Sequence, residues 1–233
     1  MTTKRPPRPL APASMLPAPT LPASMLPAPT LEVDVLIRAP AWRRALPHAR
    51  RLAETAAGAA FAAAAGAKRA RQGMAVEAAV VLADDRTVRT LNRDWRGQDK
   101  PTNVLAFAAG EGVVVRPVPG EPLALGDVVV ALQTARAEAK AEGKRLADHF
   151  RHLVVHGMLH LLGRDHRTDA EARRMERLET TVLAGLGIAD PYADRAGAPR
   201  PKPARPKQSR KKPARRGQRP GQKPSQRPRR TLR

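Results

Sequence analysis

Residues 156–166 read HGMLHLLGRDH, and the spacing inside this run decides what the remainder of the chain has to support. An α-helix turns once in 3.6 residues, so His156 and His160 fall on one face a single turn apart. Gly163 follows where helices commonly stop through a left-handed residue, and the short segment after it can swing His166 back toward the same point. Three neutral imidazoles without a fourth protein ligand describe an open zinc site, whose remaining position takes a water that the metal acidifies. Hydrolysis is the natural use of such a site.

The three histidines and the glycine match the zinc-protease pattern H-E-x-x-H-x-x-G-x-x-H, but Gly157 stands where that pattern needs its glutamate base. A peptidase reading therefore lacks its proton acceptor. His149 and His152 lie within roughly 80° of the same helical face as His156 and His160. His152 reads as a group that supports the ligands or faces substrate, and His149 as an ordinary core histidine.

Working outward, the histidine-bearing helix extends from about Leu146 to Leu162 and is apolar almost all round, which makes it central. Upstream, Gln133 to Glu142 reads as a helix broken by Gly143, and Gly126 to Leu132 as a strand. Asp127 on that strand is either a carboxylate that orients a ligand histidine or a turn residue. Gly110 to Leu125 is a proline- and glycine-rich loop with a valine run, Val113 to Val115, suited to a short edge strand. Further strands are expected at Leu31–Ile37, Val76–Ala83 and Asn103–Ala108. An alanine-rich helix is expected over His48–Ala65, and a short one capped by Asp84 that carries Val88 and Leu91. Downstream, Thr168 and Glu171 form a capping-box pattern for a last helix whose Ala172, Met175, Leu178 and Val182 recur at helical spacing. That helix reads as packing rather than chemistry. The sum is an α+β domain, a small mixed β-sheet packed with helices, with the metal helix running through the core.

The net charge of +22 is unevenly held. Residues 200–233 carry 15 Lys or Arg and no acid, and residues 1–31 carry three and no acid, which leaves +4 for everything between. The expected organisation is a disordered proline-rich extension at 1–30, one folded domain at 31–190 and a disordered basic tail at 191–233. The tail suits a polyanion partner, because each neutralised phosphate releases counterions. Within the extension, PASMLPAPTL at 12–21 recurs unchanged at 22–31 as low-complexity sequence. Cysteine is absent, so ligation falls to histidine and carboxylates, in keeping with a reducing cytoplasm. No apolar run reaches the roughly 18 residues a membrane helix needs, so no membrane partner is expected.

Taken with LNRDWRGQDKPTNVLAF (91–107) and GDVVVA (126–131), the segment HGMLHLLGRDH resembles the YbeY family of bacterial zinc-dependent endoribonucleases. The three motifs occur in the family's order, and the resemblance spans roughly residues 31–190. It implies one Zn2+ per chain on His156, His160 and His166, and places Arg96 at the family's functionally implicated arginine. It also implies a cytoplasmic, single-strand-specific endoribonuclease acting in 16S ribosomal RNA 3′-end maturation and ribosome quality control, with ribosomal RNA and ribosomal subunits as partners. A guanidinium is permanently charged and forks onto phosphate oxygens, so Arg96 suits a scissile phosphate. Two departures stand out: Arg164 replaces the family's usual tyrosine, and VLAFA the usual VLSFP. With one tyrosine and three phenylalanines, a broad base-stacking platform is not expected. A zinc hydrolase of another class and a non-catalytic ribosome-binding factor would share parts of this pattern.

Overall fold

Val33, Val35 and Ile37 alternate with Glu32, Asp34 and Leu36, and the segment forms the strand β1 (Thr30–Ile37), with Val35 fully buried. The computed structural model describes residues 30–64, 75–110, 121–166 and 168–193. The repeat at 12–29, the valine run Val113–Val115 and the tail from 194 onward lie outside the described residues.

After β1 come α1 (Ala41–Ala45), α2 (Ala49–Ala64), β2 (Ala75–Ala83), α3 (Asp85–Arg96), β3 (Val104–Ala108), β4 (Leu123–Ala131), α4 (Leu132–Ala141), α5 (Leu146–Leu161) and α6 (Asp169–Gly185). The sheet order is β1-β2-β4-β3, with the first three strands parallel and β3 antiparallel at the edge. This is the small mixed sheet with packed helices that the pattern predicts. The strand β4 starts three residues earlier than expected. A register shift opposite Glu77 and Ala78 leaves Leu125 as an extra residue, and Gly126, at φ 121°, carries the kink.

Strand alternation sends Val128 and Val130 to one face and Val129 and Ala131 to the other. The first face carries the larger core, which α2, α5 and α6 cover. The second is a smaller core closed by Val88 of α3 and Leu105 of β3. Alanines at 49, 53, 56, 57, 60 and 64 are all buried, so α2 meets its neighbours through a face of small residues. The sequence reading did not include α1, a helix of only five residues. It is held by Trp42, whose Nε1 donates to the carbonyl of Ala83 at 2.9 Å and whose ring meets Phe150 at 5.1 Å.

The helix α5 is placed by its backbone as much as by its side chains. A Cβ at Gly157 would lie 2.5 Å from Cγ1 of Val128, so the helix rests directly on the central part of the sheet. This bears on the missing protease glutamate: a side chain at 157 would run into Val128.

Candidate metal centre

The end of α5 closes as the sequence pattern requires. Gly163 takes φ 78°, its N–H donates to the carbonyl of His160 at 2.9 Å, and the N–H of Arg164 donates to Leu159 at 2.9 Å. These are the two bonds of a Schellman turn, which reverses the chain and brings His166 back over the last helical turn. One ring nitrogen each from His156, His160 and His166 lies within 4.8 Å of the others. The ring centroids of His160 and His166 are 4.9 Å apart, and those of His156 and His166 5.8 Å. His156 and His160 are half-buried and His166 is exposed, so the cluster opens to solvent on one side.

Glu179, on α6, is 1% exposed and sits behind the cluster. Its Oε1 lies 2.7 Å from Nδ1 of His156, and its Oε2 lies 3.3 Å from Nε2 of His152 and accepts a short hydrogen bond from the hydroxyl of Tyr192. Burial by itself would raise the carboxyl's pKa, but the hydrogen bonds from His152, His156 and Tyr192 outweigh it and hold the group well below the usual carboxylate range. An ionised carboxylate only accepts, so Nδ1 of His156 is the nitrogen that donates to it, and Nε2 is the nitrogen left to face a metal. That Nε2 is 3.1 Å from Nε2 of His160. The His160 ring is pushed down to about 4, first by burial and then by its two imidazole neighbours. It is therefore neutral at physiological pH.

This donor set fits a zinc ion. Nitrogens bound tetrahedrally at 2.0–2.1 Å stand roughly 3.3 Å from one another, close to the 3.1 Å between His156 and His160. Among the described residues the cluster has three members and no fourth.

The sequence reading missed Glu179 by treating α6 as packing alone. It is the carboxylate that orients His156, a role weighed for Asp127 instead. Asp127 is exposed on β4, one residue from the Val128 that faces α5, and so points to the other side of the sheet. His152 supports the cluster by way of Glu179. His149 is buried and ties α5 to α4 through Glu138 at 3.0 Å, as a core histidine would. Arg96 is exposed at the last residue of α3, and no hydrogen bond or ion pair joins it to the three histidines. Tyr192, placed in the tail by the sequence reading, packs its ring 5.8 Å from His152.

The family model described as Endoribonuclease YbeY matches residues 47–187. The chain belongs to the YbeY endoribonuclease family. A relative named Endoribonuclease YbeY from Paramagnetospirillum magneticum is 56% identical over 163 residues, 70% of this chain and 96% of that protein. Another of the same name, from Azorhizobium caulinodans, is 50% identical over 165 residues, again 70% and 96% of the two chains. The solution structure of a Thermotoga maritima protein aligns with a TM-score of 0.40 at 20% identity, covering 67% of this chain and 92% of that one. The YbeY match takes in β2, β3, β4 and all of α2 to α6, including every histidine of the cluster and Glu179. Among the described residues, no helix is long and apolar enough to cross a membrane.

Proposed function

We propose that this protein is a single-strand-specific metallo-endoribonuclease that hydrolyses RNA phosphodiesters, with one zinc ion held by His156, His160 and His166. Its place is the cytoplasm, in 16S ribosomal RNA 3′-end maturation and ribosome quality control, with ribosomal subunits as partners. The observation that carries the reading is the convergence of three ring nitrogens in a chain of the YbeY endoribonuclease family.

The chemistry such an ion supplies is Lewis acidity, which acidifies water and polarises a phosphoryl oxygen at neutral pH. The protein's own share is positional. Glu179 holds the proton on Nδ1 of His156 and so keeps Nε2 free to ligate. Burial keeps His160 unprotonated at neutral pH. Arg96 contributes a fixed positive charge for the phosphate, at the position the family motif assigns it. Gly157, pressed on Val128, removes the glutamate on which a peptidase would depend. A structural zinc site normally has four protein ligands, whereas three are gathered among the described residues.

Cleavage of single-stranded RNA, duplex RNA and a peptide, each with and without chelator, tests the proposal. Chelator-sensitive cutting of the single strand alone is expected, with His160→Ala inactive. Equal RNA cleavage by wild type and His160→Ala would end it.

A further inference from the structure

Trp95 is 74% exposed, the one large hydrophobic side chain in the described residues that the fold leaves open to solvent. It lies in the penultimate position of α3, the helix that ends at Gly97 in the left-handed conformation. Its ring is not loose. Phe107 of the edge strand β3 meets it at 5.9 Å and 64°, an edge-on contact that holds the indole while leaving most of its surface uncovered.

The charges around it are sorted. Arg89 is paired with Asp99 and Arg93 with Asp94, each at 2.8 Å. Among the described residues no hydrogen bond or ion pair engages the side chains of Arg96 or Lys100. An exposed aromatic surface with uncommitted cations close to it in the chain matches the chemistry of a nucleotide, a π-face next to a phosphate. Phe107 pairs with Asp127 and so lies on the face of the sheet opposite α5, but β3 is the edge strand, and a single strand leaving this surface passes round that edge to reach the face that carries the metal centre.

We propose that Trp95 stacks an unpaired base of the RNA substrate while Arg96 grips the phosphate beside it. This rests on the nuclease reading above and deepens it, because a base held in a duplex is already stacked and cannot be presented to an indole. Selection for single strands then comes from one exposed residue, in a protein with few aromatic residues to offer.

The test uses the full-length chain and two RNAs carrying slowly cleaved phosphorothioate linkages, one single-stranded and one duplex, at raised ionic strength to suppress binding through the tail. Trp42 is fully buried, so any quenching of tryptophan emission by RNA reports on Trp95. Single-stranded RNA is expected to quench, and duplex RNA not to. Trp95→Ala should raise the Kd for the single strand roughly tenfold, with less than about a twofold change for the duplex, and Trp95→Phe should recover part of the loss. An unchanged single-strand Kd, or equal weakening for both RNAs, overturns the platform while leaving a wild type that still cleaves RNA as a nuclease. A wild type that neither binds nor cleaves RNA removes both readings at once.

Discussion

Nδ1 of His156 and Oε1 of Glu179 are 2.7 Å apart across 23 residues of sequence, and this bond sets which nitrogen of His156 faces the other imidazoles. Loss of the carboxylate frees the ring to take the other tautomer and to turn. Glu179→Ala is expected to weaken zinc binding by about 10- to 100-fold, and Glu179→Gln by less, since an amide oxygen still accepts from Nδ1–H. Competition against a chromogenic chelator measures this directly. Wild-type affinity in Glu179→Ala would show that His156 needs no orienting partner.

The metal-free protein should lose stability in acid, in a defined window. The ordinary pKa of histidine, 6.5, applies to His160 in the unfolded chain, against about 4 in the fold. As pH falls, the unfolded state takes up the proton first, so stability is fully present above about pH 6.5 and declines toward pH 4, by roughly 3 kcal/mol. Glu179, held below its ordinary 4.5, acts in the same direction at still lower pH. Urea midpoints of chelator-treated protein across this range should fall steadily. A rise on acidification would refute the assignment.

Gly157 and Val128 form a packing contact that a methyl group would spoil. In a free helix alanine is better than glycine by about 1 kcal/mol, yet here its Cβ meets a branched, fully buried side chain. Gly157→Ala should cost about 1–3 kcal/mol by overpacking, and combination with Val128→Ala should recover part of that loss. Denaturant midpoints of the two single variants and the double variant decide the matter. Strict additivity would place the cost elsewhere.

A chain ending at Ala193 keeps Tyr192 on Glu179 and removes the 15 basic residues of 200–233. RNA affinity should drop, and the slope of log K against log salt should flatten by about 0.7 for each lost single-strand phosphate contact. An unaltered slope, measured by anisotropy over a salt series, would reject a role for the tail.

Much of this site was legible in sequence because its parts are local. His156, His160, Gly163 and His166 fall within eleven residues, and helical pitch with one left-handed turn brings them together. The caps at Asp84 and Thr168 were equally readable, since an N-cap side chain and the backbone N–H that donates to it lie three residues apart. Glu179 and Tyr192 were not, because their partners are distant in the chain. One signal was available for Glu179. It falls four residues after Met175 and three before Val182, inside the buried stripe of α6, where a carboxylate demands a partner. The early start of β4 escaped for a different reason: a bulge breaks strand alternation and hides the residues before it.

The buried network around Glu179 also has a meaning for biosynthesis. Translation delivers the three histidines first, then α6, and Tyr192 last, so a nascent chain halted between them holds every nitrogen donor but nothing to decide which tautomer His156 adopts. Premature termination products that lack α6 would thus be poor scavengers of zinc, and His156 gains its orienting partner only once Glu179 has been made.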